Sequence, residues 1–97
     1  MGLGRNVPIQ VTNNTAESRF ESKEDGETAI LDYLVSGNRI ALTHTRVPEA
    51  IEHRGIGTDL VETAIAYARE QHLKIDPQCA FAAKYFAEHP EHQPLLA

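Results

Sequence analysis

The chain has 97 residues, 41% hydrophobic and 24% charged, which fits one domain with one modest core and excludes a second cofactor-binding half. Fourteen acidic against nine basic side chains give a net charge of -5, so no nucleic-acid or membrane partner is expected and any anion site has to be local. No apolar run approaches the roughly 20 residues that cross a bilayer, no secretory segment opens the chain, and one cysteine cannot form an internal disulfide, so the expectation is a soluble cytoplasmic monomer or weak dimer.

In chain order, residues 1–6 are glycine-rich and read as disordered. Val7 to Val11 reads as a short edge strand that tolerates Pro8 near its start. Arg19 to Lys23 is the next strand, Asp25-Gly26 a hairpin turn, and Thr28 to Val35 its partner, apolar on both parities and so expected to be covered on both faces. Ser36-Gly37-Asn38 turns the chain into a third strand, Arg39 to Arg46, completing an antiparallel meander. Ile56, Leu60, Val61, Ala64, Ile65 and Ala68 then recur at three-and-four spacing, with Asp59, Glu62, Arg69 and Glu70 off the stripe, which predicts an amphipathic helix of about four turns. Leu73-Lys74-Ile75 is a short strand whose natural partner, through a right-handed crossover, is the strand that entered the helix. Pro77 ends it. A second helix carries Phe81, Ala82, Tyr85 and Phe86 on one face as core residues and stops before Pro90, and Leu95 and Leu96 are placed to dock back on the core. The architecture is α+β.

The junction between the third strand and the first helix carries the chemistry. There Gly55 and Gly57 flank Ile56 in the run Glu52-His53-Arg54-Gly55-Ile56-Gly57. Glycine lets the main chain turn sharply and approach a ligand, and the free N–H groups of a helix's first turn attract an anion. Arg54 adds a positive charge, so the junction reads as the cradle of a phosphate-bearing cofactor. A Walker loop is excluded because no Gly-Lys-Ser/Thr exists, and a dinucleotide fingerprint because Leu60 stands where its third glycine belongs.

Strand, glycine turn, helix, strand and helix, after an antiparallel sheet, resemble the GNAT superfamily of acyl-CoA-dependent N-acetyltransferases, in its small single-domain branch. The resemblance rests on Leu42-Thr43-His44-Thr45-Arg46-Val47-Pro48, the glycine turn, the Leu60 to Arg69 helix, and Pro77-Gln78-Cys79-Ala80-Phe81 leading to Tyr85 and His89-Pro90, covering about residues 16 to 92. Two departures stand out. Glu52 takes a position that is Arg or Gln in larger members, and Cys79 takes that of an Asn, with Ala82 matching and Tyr85 one residue before the expected Tyr, where Phe86 lies.

The resemblance implies a miniature GNAT fold over residues 1–97: a mostly antiparallel twisted sheet, a strand-helix-strand crossover and a C-terminal helix. It implies acetyl-CoA or coenzyme A as cofactor and an amine as acceptor, small molecule, peptide or protein. The pantetheine arm would lie against Arg46 and Val47, and the diphosphate on the segment Arg54, Gly55, Ile56, Gly57, Thr58 and Asp59. A helix N-terminus favours a negative, reactive sulfur at Cys79, and a similar cysteine near the acetyl end in the small branch leaves two roles open, a transient acyl acceptor or a pocket wall. His44 is the general-base candidate by residue type, and Tyr85 the candidate acid for the leaving thiolate. No metal is expected: His89 and His92 are separated by helix-breaking Pro90 and have no third ligand near them. The second expectation is a non-catalytic coenzyme A or acyl-CoA-binding module acting through a protein partner. Only Asn13 to Glu17 stand where larger members place extra helices, so the acceptor side should be open.

Overall fold

The computed structural model describes residues 9–97. Five strands lie in chain order in one sheet: β1 (Thr12–Asn14), β2 (Arg19–Glu24), β3 (Glu27–Ser36), β4 (Arg39–Arg46) and β5 (Lys74–Pro77). The first four are antiparallel, and β5 pairs parallel with β4 after α1 (Ile56–Gln71), the crossover required of a parallel pair. The second helix, α2 (Ala80–Glu88), follows β5. Asp25 and Gly26, at φ 51° and 79°, occupy the left-handed region that a tight two-residue hairpin turn demands.

Register fixes which side chains meet. Phe20 opposes Leu31 and Ser22 opposes Ala29, and these pairs, with Tyr33, Ile40, Leu42 and Ile75, form the buried face. Against it lies the expected stripe of α1, from Ile56 to Ala68, together with Ala82, Tyr85 and Phe86 of α2, all in one apolar cluster. Burial of this stripe, more than helix propensity, holds α1 in place. No helix among the described residues is long and apolar enough to cross a membrane.

Two expectations are corrected. The edge strand among the described residues is Thr12–Asn14; residues 9–11 of the expected Val7 to Val11 strand have no strand pairing there, and residues 7 and 8, like the expected disorder of 1–6, lie outside the described residues. Thr28 to Val35 is covered on both faces only in its first half, where Ala29, Ile30 and Leu31 are all buried, since toward the hairpin tip Leu34 is 63% exposed. Within β4 the alternation of faces is interrupted. Tyr33 opposes Leu42 while Asp32 opposes His44, so Thr43 is an extra residue, a β-bulge. Before it the even residues Ile40 and Leu42 face the helices; after it Thr45, opposite buried Leu31, takes that face, and His44 and Arg46 go to the other.

At the C-terminus, a 3₁₀ turn (Pro90–Leu95) brings Leu96 beside Ile75 as a single parallel bridge, and the Ala97 N–H donates to the Ile75 carbonyl at 2.8 Å. The docking expected of Leu95 and Leu96 occurs on the free edge of β5.

Candidate functional site

β4 and β5 run together only from Arg39 opposite Lys74 to Leu42 opposite Pro77. Gln78 and Cys79 then both donate their N–H to the Leu42 carbonyl, at 3.0 Å each, which draws the chain away into α2 while β4 continues to Arg46. Among the described residues, the main chain of β4 beyond the bulge therefore has no strand on its β5 side. A cavity of about 690 Å³ opens there, lined by Thr45, Arg46, Val47, Glu52, His53, Gly55 to Thr58 and Phe81. Its size is that of a small-molecule site.

The N-terminus of α1 forms one wall. Gly55 is the N-cap at φ 79°, ψ 11°, and no side chain caps the helix. The first helical bond runs from the Asp59 N–H to the Gly55 carbonyl at 3.0 Å, so the amides of Ile56, Gly57 and Thr58 are the ones left without a helical acceptor. They carry the positive end of the helix dipole. His53, at φ 67°, also sits in the left-handed region, so two of the three residues ending at Gly55 hold a conformation other side chains rarely adopt.

Of the expected cofactor residues, the cavity gathers Arg46, Val47, Gly55, Ile56, Gly57 and Thr58 and leaves out two. Arg54 does not line it: its guanidinium reaches back to the β2–β3 turn, 2.6 Å from Asp25 and 3.8 Å from Glu24. That charge is already spent on carboxylates. Asp59 has its amide in the helix ladder and its side chain in a separate groove with Glu62 and Thr63, where burial first and the Glu62 charge second raise its carboxyl above the usual range.

The catalytic candidates separate as well. Cys79, partly buried at the N-cap of α2, does not itself line the cavity; its Sγ lies 3.1 Å from the Oγ1 of Thr45, which does, so it stands one contact behind the wall. His44 does not line the cavity; the Thr43 bulge turns it to the face opposite the helices, exposed and paired across strands with Asp32. Tyr85 is buried and donates its hydroxyl to Glu62 on α1 at 2.9 Å, with its ring stacked on His89 at 3.9 Å. Burial first, then the bond and charge of Glu62, push its pKa to about 12. Such a phenol holds its proton and joins two helices, and it does not face the cavity. Among the described residues, no group of three or more His, Cys, Asp or Glu is placed to hold a metal.

Four residues of the cavity wall lay outside the sequence expectation: Glu52 and His53 at the glycine turn, Thr45 and Phe81. Thr45 faces the cavity because of the bulge, whose trace in the sequence is the shift of apolar positions from Ile40 and Leu42 to Val47. Phe81, expected in the core, is 38% exposed and lines the cavity.

A family model described as GCN5-related N-acetyl-transferase matches residues 19–95. Protein NATD1 of Gallus gallus is 35% identical over 91 residues, covering 91% of this chain and 83% of that protein, and its counterpart in Homo sapiens is 34% identical with coverages of 91% and 80%. The solution structure of a GCN5-like protein from Staphylococcus aureus superposes with a TM-score of 0.72 at 26% identity, over 92% of this chain and 88% of that one. The meander, the splayed β4–β5 pair and the uncapped glycine turn accordingly place the chain in the GCN5-related N-acetyltransferase family.

Proposed function

We propose that the protein transfers an acetyl group from acetyl-CoA to an amine. The observation that carries this reading is that one cavity joins three unpaired amides at the start of α1, the unpaired edge of β4 and the wall formed by Thr45, with Cys79 beside it. That order suits a diphosphate, an amide-bearing arm and a thioester in turn.

The residues present fit such a group through main chain more than side chain. The amides of Ile56, Gly57 and Thr58 are aimed at one anion and already fixed by α1, so they need no reorganisation on binding. The open edge of β4 from Thr45 to Val47 can exchange hydrogen bonds with the arm's amides as a neighbouring strand would. When bound, acetyl-CoA supplies an acyl carbon activated by a thiol leaving group. Thr45 and Cys79 flank that end, and the start of α2 points its positive pole there, which favours the negative charge that develops. The acceptor amine has to arrive neutral. With His44 on the other face and Tyr85 bonded to Glu62, its proton goes to solvent at the open mouth. Only a four-residue turn, Thr15 to Ser18, separates β1 from β2, so the acceptor side is unwalled and suits a peptide, protein or small polyamine.

The positions of His44 and Tyr85 also favour a second reading, a coenzyme A or acyl-CoA-binding module that works through a protein partner without catalysis. Thiol release from acetyl-CoA across an amine panel separates the two. Amine-dependent release supports the transferase, whereas a coenzyme A-induced rise in melting temperature without release supports the module. No rise in melting temperature rejects both, because a ligand selective for the folded state must stabilise it. With Cys79→Ala, a loss of tenfold or more, roughly 1.4 kcal/mol in barrier, assigns the sulfur a covalent role, and an unchanged rate makes it a wall.

A further inference from the structure

Three large apolar side chains are exposed among the described residues: Leu34, Val35 and Phe81. The first two lie near the β3–β4 hairpin tip, outside the cavity, while Phe81 forms part of its wall. Phe81 is off the buried stripe of α2, and no other aromatic ring among the described residues packs on it. What it touches is Gly57. A Cβ built there would stand 2.7, 2.9 and 3.2 Å from the Cζ, Cε2 and Cε1 of the ring, closer than such a contact allows. Gly57 is not among the positive-φ residues, so its conformation does not demand glycine; a side chain there would instead force the ring to move. Phe81 thereby links the two helix starts, with the free amides of Ile56 to Thr58 on one side and Cys79, two residues earlier in the chain, on the other.

We propose that Phe81 is the donor-specificity residue of this site: its ring, seated in the notch left by Gly57, recognises the apolar, dimethyl-bearing part of a pantetheine arm. This rests on the coenzyme A reading above. The segment of the arm nearest the diphosphate is its only branched hydrocarbon, and Phe81 is the aromatic surface beside the cradle that would receive the diphosphate. The two amides farther along the arm fall to the edge of β4. Recognition is thus divided: the cradle accepts any suitably placed phosphate, and Phe81 admits those that carry the arm.

Calorimetric titration of wild type, Phe81→Ala and Phe81→Leu with coenzyme A and with adenosine 3′,5′-bisphosphate, which lacks the arm, tests this. Phe81→Ala should weaken coenzyme A about tenfold and leave the bisphosphate within about twofold, and Phe81→Leu, which keeps apolar bulk and guards against a folding artefact, should recover most of the loss. Equal losses for both ligands, or none for coenzyme A, overturn the proposal. If the bisphosphate is too weak to measure, the Phe81→Ala loss on coenzyme A and its recovery in Phe81→Leu decide alone. A wild type that binds neither ligand rejects the proposed function as a whole, which is a different result from wild-type binding that Phe81→Ala leaves intact. Gly57→Ala supplies the reciprocal arm: it should weaken coenzyme A in the wild-type background by displacing the ring, and add nothing once Phe81 is Ala. A Gly57→Ala loss that persists in the Phe81→Ala background, and extends to the bisphosphate, would show that the glycine serves the phosphate instead.

Discussion

Arg54 and Tyr85 show how a residue can be identified from a motif and still point elsewhere. Arg54 has a single guanidinium and two carboxylates within reach, Asp25 at 2.6 Å and Glu24 at 3.8 Å. Removing the closer competitor should free it for a phosphate, so Asp25→Asn is expected to tighten coenzyme A binding several-fold at low salt, and the gain should vanish in Asp25→Asn/Arg54→Ala; titration calorimetry reads both. Tyr85→Phe should cost about 1 kcal/mol in denaturant unfolding, by removing a partly buried bond to a carboxylate, and leave the rate of any acetyl transfer unchanged. Its pH signature follows from the raised value. In the folded protein Tyr85 titrates near 12, above the ordinary 10, so its stabilising effect is complete below pH 10 and is lost as pH climbs from 10 through about 12. Tyr33, also raised by burial, contributes in the same direction, so Tyr85→Phe should lessen the alkaline loss of stability without abolishing it.

Elements with a strong period were legible: the stripe from Ile56 to Ala68 marked α1, Asp25-Gly26 marked the hairpin, and Arg39 to Arg46 was read with the bounds that β4 has. The glycine turn was legible too, because Gly55 at φ 79° does what glycine permits and other residues resist. Less visible was anything set by one extra residue. The Thr43 bulge reverses the two faces of β4, sending the expected base His44 outward and the unexpected Thr45 into the cavity, and its sequence trace is only a phase shift in a short strand. Phe81 was read as core because helical spacing does not distinguish the buried stripe of α2 from its margin. Gly55→Ala bears on the element itself. It should destabilise the fold by about 1 kcal/mol in thermal or chemical unfolding, from left-handed strain alone, since nothing lies within 4 Å of the added methyl, and it should weaken coenzyme A by misdirecting the three amides.

At the scale of the molecule, a chain of net charge -5 is proposed to bind a polyanion. A site built on lysines and arginines would weaken with salt. Here the cradle is neutral main chain, Arg54 beside it in sequence is paired, and the cavity wall carries Glu52 as well as Arg46. The expected outcome is coenzyme A affinity that holds or improves slightly from about 0.05 to 0.3 M salt, as screening shortens the reach of the overall negative field while leaving short amide contacts intact. A steep decline would mean that free cations, not amides, hold the phosphates.

The most direct measurement is a coenzyme A titration followed amide by amide in ¹⁵N-labelled protein. The amides of Ile56, Gly57 and Thr58 should show the largest saturable shifts, with smaller ones along Thr45 to Val47, while the Asp59 amide, already bonded to Gly55, moves less. Saturable shifts centred elsewhere, or none at the first turn of α1, would contradict the account.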